Sequence, residues 1–205
     1  MRPGFLMVGD CGTKTAQMTR MRARRALPPL DEVKLNELAL AYVGRFATTR
    51  AKLRSYLARK IRERGWDATR EPDLERLANL FSDQGYVDDT AYALSKSQSL
   101  SGRGYGKRRL IEKLRVAGVE EADSAAARDH ADKEAVAAAL RFAERRRLGP
   151  FALAPLRDPK LREKALAAMV RAGHGFALAR EIIGLEPGAE IDPGDLADRA
   201  GLVAN

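Results

Sequence analysis

Residues 37–46, with the sequence ELALAYVGRF, open a pattern of helices that occurs three times in this chain. Their apolar side chains recur every three or four residues, which predicts a helix with one buried face. A second helix with a pair of large apolar residues follows, then a glycine break and a shorter third segment. The pairs begin at Leu53, Leu110 and Leu166, which are 57 and 56 residues apart. Such repetition is typical of tandem helical arrays, which bind large partners over extended surfaces.

The predicted fold is all-α, an elongated tandem array of three-helix repeats without strands. The predicted boundaries are a disordered basic N-terminal tail at 1–32, helical repeats at 33–86, 87–131 and 132–186, and an acidic C-terminal tail at 187–205. The third repeat is predicted to begin with one long helix over 132–147.

Charge alternates along the chain in step with this pattern. The second helices are basic, because residues 45–64 hold eight basic groups and one acid, and residues 103–115 hold six and one. The following segments are acidic, because residues 67–89 hold seven acids and two arginines, and residues 181–205 hold six acids and one arginine. Repeats stacked in register would therefore carry positive charge on one side and negative charge on another.

The composition favours a thin helical stack in a reducing compartment. Charged residues make up 32% of the 205 residues and aromatic residues only 6%. Cys11 is the single cysteine, so no disulfide can form within the chain. No apolar run approaches the ~18 residues that span a bilayer, and the N-terminal apolar run is too short for a signal peptide. We expect a monomeric cytoplasmic protein without a membrane partner.

The sequence offers no catalytic, cofactor or metal site. The glycines of residues 102–107 do not fit a phosphate-binding loop, since the required Gly, Ser or Thr positions hold other residues and no strand precedes them. His130 and His174 have no further ligand at metal-binding spacing. Asp88 and Asp89 directly precede a helix, so we predict that they have a structural role as caps, with one of them the N-cap, and are not a catalytic pair. The protein is therefore not expected to be an enzyme.

Two segments resemble the RecX family of recombination regulators: GYVDDTAYA at 85–93 and GYGKRRLIEKL at 104–114. In that family a Gly-hydrophobic-hydrophobic-Asp-Asp helix start precedes a Gly-x-x-x-hydrophobic helix, and both are present here. The similarity continues through residues 39–45, 53–65 and 173–183, and covers about residues 35–185.

The resemblance implies tandem three-helix repeats that bind the RecA recombinase, usually as a filament on single-stranded DNA. It also implies inhibition of strand exchange, ATP hydrolysis and co-protease activity, and so a role in DNA repair, recombination and the SOS response. The chain departs from the family in its basic segment before residue 33 and in an insertion from Arg145 to Pro155.

Three interpretations of the basic helices follow. The first is docking on the RecA filament, with single-stranded DNA as a second partner. The alternative is an autonomous nucleic-acid-binding helical protein, although its helices lack the Asn, Gln and Ser of a base-reading face. The third is that the charges are merely solvated surface. The predicted binding residues are Lys52, Arg59, Arg62, Arg108, Arg109 and Lys113.

The elongated shape can be measured directly by small-angle X-ray scattering. A compact chain of this length has a radius of gyration of about 17 Å. We expect a clearly larger value, because each repeat has too few large apolar side chains to close a core alone. A radius near the compact value would rule out the array.

Overall fold

The computed structural model describes residues 27–202, and the predicted tail before residue 27 and Cys11 lie outside them. Within this range there are two short 3-10 turns, one isolated bridge between Leu30 and Trp66, and no strand. The ten helices are α1 (Glu32–Val43), α2 (Arg50–Arg64), α3 (Leu74–Asp83), α4 (Asp89–Gly102), α5 (Lys107–Ala117), α6 (Ala125–Lys133), α7 (Ala135–Arg146), α8 (Pro159–Arg171), α9 (Phe176–Gly184) and α10 (Pro193–Arg199). The predicted all-α fold is confirmed.

Three apolar clusters follow one another along the chain. The first repeat (α1–α3) buries Leu53, Leu57 and Phe81. The second repeat (α4–α6) buries Leu110 and Leu114. The third repeat (α7–α9, with α10 packed on it) has the largest cluster, and Met169 and Ile182 are completely buried there. Each repeat thus contributes its own core.

The first two repeats meet where the end of α5 contacts the start of α2. The hydroxyl of Thr49, the N-cap of α2, donates to the carbonyl of Ala117 at 2.6 Å. Gly118 ends α5 in the left-handed region, at φ 70°. A Cβ at Gly118 would lie closer than 3.0 Å to the Cβ of Ala51. Only glycine allows the two helix ends to approach this closely.

The second and third repeats meet in an equivalent way. The backbone N–H groups of Gly106 and Arg108, at the start of α5, donate to the carbonyls of Ala172 and Gly173 at 3.0 and 3.2 Å. Gly173 has φ 100°, and a Cβ there would lie closer than 3.0 Å to the backbone N of Arg109. The second helices α8, α5 and α2 therefore join end to end, each by its C-terminus to the N-terminus of the next.

His174, directly after this glycine, reinforces the second junction. Its side chain is almost completely buried, and its Nε2 lies 3.1 Å from the carbonyl of Gly104. Because a carbonyl only accepts, Nε2 carries the proton. Burial lowers the pKa of His174, and the smaller opposing effect is its hydrogen bond to Gly104. The imidazole is thus held neutral at this contact.

Within the second repeat, α4 and α6 pack through small side chains. Ala93 and Ser97 of α4 and Ala127 and Ala131 of α6 are all buried. The Ser97 hydroxyl donates to the carbonyl of Ala127 at 2.8 Å, so the two backbones are close. The predicted long helix over 132–147 was wrong, because α6 ends at Lys133 and α7 starts at Ala135.

Both ends of the array extend into segments predicted to be tails. Leu30 is completely buried in the first core, and its backbone N–H donates to the carbonyl of Gly65 at 3.0 Å. At the other end, Asp192 caps α10 and Leu196 is buried in the third core. Both predicted tails therefore contain a large apolar side chain, Leu30 or Leu196, that is buried in the core of the neighbouring repeat.

The apolar pair assigned to α8 was also one residue out of register. Ala165 and Met169 are the buried residues of that helix, whereas Leu166 and Val170 are half-buried. The predicted insertion packs onto α9, because Gly149 is buried and a Cβ there would collide with the carbonyl of Ile182.

The junction at Gly118 can be tested by a double-mutant cycle. We expect Gly118→Ala to reduce the free energy of unfolding by about 3 kcal/mol, of which ~1–2 kcal/mol is left-handed backbone strain and the rest overpacking. Adding Ala51→Gly removes the atom that the new methyl group meets, so it should restore the overpacking part. Urea denaturation measures both effects.

Gly85→Ala is the matched control, because Gly85 has φ 75° but no atom near its missing Cβ. It should lose only the strain, ~1–2 kcal/mol. Equal losses for Gly85→Ala and Gly118→Ala, with no rescue by Ala51→Gly, would show that the junction is not sterically tight.

Candidate interaction surface

Two of the predicted binding residues lie on the solvent side of α2. The buried face of this helix carries Leu53 and Leu57, which places Arg59 and Arg62 outward. Arg59 is 57% exposed, and its Nε lies 3.6 Å from the carboxylate of Glu63. Arg62 is exposed and has no ion pair within residues 27–202. Both guanidinium groups are accessible to a partner.

Lys52 has a different position. It is half-buried, and its ammonium group lies 4.5 Å from the centre of the Tyr92 ring and contacts the Tyr92 hydroxyl. A cation over an aromatic face is attracted by the ring electrons. Lys52 therefore links α2 to α4 and lies between the first two repeats.

The remaining three predicted residues lie on α5. Arg109 pairs with Glu112 at 2.7 Å on the same helix. Arg108 and Lys113 are exposed and make no ion pair with a described residue. The six basic residues therefore form no single cluster but lie along two helices that join end to end.

Asp88 and Asp89 have separate roles. Asp88 is the N-cap of α4, and its carboxylate accepts from the backbone N–H of Ala91 at 2.8 Å. Asp89 does not cap its own helix, so Asp88 is the one N-cap that the sequence predicted within this pair. The buried carboxylate of Asp89 accepts a hydrogen bond from the backbone N–H of Arg50, the first residue of α2, at 3.0 Å. It therefore satisfies a free donor of the preceding repeat.

Arg50 completes this contact between the repeats. Its guanidinium lies 3.4 Å from Asp89 and 2.7 Å from Asp123, in the turn before α6. Burial alone lowers the pKa of Arg50, but the charges of Asp89 and Asp123 and the hydrogen bond to Asp89 outweigh it and raise the pKa. This role of Arg50 was not predicted from the sequence, because 39 residues separate Arg50 from Asp89.

A groove of about 610 Å³ lies beside these contacts, between the start of α2 and the exposed face of α4. Its basic side chains are Lys52 and Lys96, and its aromatic side chains are Tyr86 and Tyr92. Of these four residues, only Lys52 was predicted from the sequence as a binding residue. The spacing of Tyr92 and Lys96 was the available signal, because residues four apart share one face of a helix.

The described part of the chain has neither a metal-ligand cluster nor a membrane-spanning helix. Residues 27–202 contain no group of three or more His, Cys, Asp or Glu side chains that could hold a metal ion. Over the same range, every helix is too short or too polar to cross a bilayer.

Comparison with known proteins identifies the family. The chain matches none of the protein-family models against which it was compared. It is 33% identical over 168 residues to "Regulatory protein RecX" of Myxococcus xanthus (strain DK1622), covering 75% of this chain and 86% of that protein. This chain belongs to the RecX family. A second RecX relative, from Mycobacterium sp. (strain KMS), is 31% identical over 173 residues, which cover 79% of this chain and 88% of the relative.

The fold is also similar to that of a solved RecX protein. The crystal structure of a regulatory protein RecX matches with a TM-score of 0.52 at 19% identity, over 74% of this chain and 70% of that one. In our structure, two glycines of the RecX-like segment at 104–114 lie at the second junction. A Cβ at Gly104 would meet the backbone of Phe142, and one at Gly106 would meet the backbone of Gly173.

The two aspartates should differ in their effect on stability. The sequence alone predicts that replacing both by Ala costs about 1 kcal/mol or more. From the structure we expect Asp88→Ala to cost ~1 kcal/mol, as for a lost cap. Asp89→Ala should cost about 2–3 kcal/mol, because it removes charged hydrogen bonds at a buried contact. Urea unfolding of the single variants measures this order, and a larger loss for Asp88→Ala would contradict it.

Proposed function

We propose that this protein is a cytoplasmic regulator that binds the RecA recombinase when RecA forms a filament on single-stranded DNA. In this proposal it inhibits strand exchange, ATP hydrolysis and co-protease activity, and thereby modulates DNA repair, recombination and the SOS response. Membership of the RecX family supports the proposal. It acts as a monomer and without catalysis, through surface contacts alone.

The observation that carries the proposal is the end-to-end arrangement of α2 and α5. It lines up exposed basic side chains on consecutive repeats, among them Arg59, Arg62 and Arg108. A filament also repeats along its axis, and it presents both DNA phosphates and charged protein surface. An array with repeated positive faces suits such a partner, because complementary charge guides docking and fixes register.

Autonomous binding to nucleic acid is the second candidate. Arg62, Arg108 and Lys113 make no ion pair with a described residue, so they are available to phosphates as well as to protein carboxylates. Sedimentation with RecA-coated DNA and with naked DNA separates the two. Binding to both at equal affinity would favour the second candidate.

Charge reversal of Arg59 and Arg62 to Glu tests the proposed surface. We expect about tenfold weaker sedimentation with RecA-coated DNA and a similar loss of inhibition of RecA ATP hydrolysis, since attraction becomes repulsion. The fold should be retained, because both side chains point away from the core. Circular dichroism and thermal unfolding check this.

The matched control reverses Arg70 and Arg76, which are exposed in the same repeat and give the same change in net charge. This variant should bind almost as well as the unaltered protein. Equal affinity of both variants at low salt would mean that Arg59 and Arg62 are only solvated surface.

A further inference from the structure

The groove between the first two repeats is polar and positively charged. Its lining comes from Ala47, Thr48 and Lys52 at the start of α2, Gly85, Tyr86 and Asp88 before α4, and Ala91, Tyr92, Ser95, Lys96 and Ser99 on α4. Asp88 is the only acid in this set, and its carboxylate already accepts from a backbone N–H of its own helix. The groove therefore has a net positive charge, which comes from Lys52 and Lys96.

The position of these side chains on α4 follows from the helical period. The opposite face of α4, with Ala93, Ser97 and Leu100, is buried against the rest of the second repeat. On the groove side of α4, Ser95 and Ser99 are exposed, and Tyr92 and Lys96 are half-buried. Lys96 forms no ion pair with any described residue, so its ammonium group is available to an anionic ligand.

Aromatic rings accompany the two lysines. Tyr86 is 54% exposed, and its ring centre lies 5.6 Å from that of Phe81, which leaves much of the ring open to solvent. Phe46 is 57% exposed and directly precedes Ala47 in the lining. Rings beside cations at a groove provide both interactions that hold single-stranded nucleic acid, base stacking and phosphate attraction.

We propose that this groove binds a short segment of single-stranded DNA, with Lys52 and Lys96 on the phosphates and Tyr86 stacked on a base. A duplex fits this chemistry poorly, because its bases stack on one another and do not offer their faces. An apolar peptide would find only alanine methyl groups and tyrosine rings in the lining. The inference rests on the proposed function, in which the strand is the one that the RecA filament carries.

Fluorescence anisotropy of a labelled 20-nucleotide oligo(dT) with the full chain tests the groove. We expect Lys96→Glu and Tyr86→Ala each to weaken binding about tenfold, whereas Tyr86→Phe, which keeps a ring, should bind as the unaltered protein does. Lys96→Glu should also reduce the slope of log affinity against log salt by about 0.7, the value for one phosphate contact on a single strand.

Lys164→Glu is the charge-matched control, because Lys164 is exposed on α8, forms no ion pair with a described residue and lies outside the groove. It should bind oligo(dT) better than Lys96→Glu does. Equal weakening by the two variants, or no binding by the unaltered protein, would overturn the groove assignment. A third result would also overturn the groove assignment: the groove variants lose binding to DNA-free RecA, but their affinity for oligo(dT) is unchanged. The groove would then bind protein and not DNA.

Inhibition of RecA ATP hydrolysis by the same variants separates this inference from the proposed function. If the unaltered protein does not inhibit RecA but binds oligo(dT) through Lys96 and Tyr86, the proposed function fails and the groove assignment stands. If it inhibits RecA but does not bind oligo(dT), the groove assignment fails and the proposed function stands.

Discussion

The backbone contact at Gly118 and Gly173 is the constraint on which the arrangement of the repeats depends. At both positions the carbonyl end of one second helix meets the N–H end of another, which also aligns the helix dipoles favourably. A side chain at either glycine would force the ends apart. The end-to-end arrangement of the basic helices follows from this close approach.

The basic residues of α2 serve two purposes. Arg50 and Lys52 are directed toward the second repeat, where carboxylates and a tyrosine ring hold them. Arg59 and Arg62, further along the helix, are exposed and form no ion pair with a described residue of that repeat. The start of the helix therefore sets how the repeats are placed, with Lys52 also lining the groove, and the end of the helix is exposed to solvent. A uniform charge run in sequence conceals this division.

The sequence predicted well those helices in which several large apolar side chains recur at helical spacing, but it missed the single buried residues Leu30 and Leu196 near the chain ends. The stripes of α1 and α2 and the helix start at Asp88 follow from local spacing and capping. Prediction from the sequence failed where small residues or contacts between distant parts of the chain determine the structure. The alanine-rich helix α6 has no stripe, because its burial depends on close packing against Ser97. The partner of Asp89 lies in another repeat, and neither capping rules nor helical period can indicate it.

The direction of the contacts between repeats has a consequence for biosynthesis. The first N–H group of α2 is satisfied by Asp89, 39 residues later, and Thr49 finds its acceptor 68 residues later. The start of α5 is likewise completed by Ala172 and Gly173. Because the ribosome makes the N-terminus first, the first and second repeats each emerge with their second helix incompletely bonded. Folding of the nascent chain is therefore expected to lag one repeat behind translation, and the array becomes fully ordered only after its last second helix has been made.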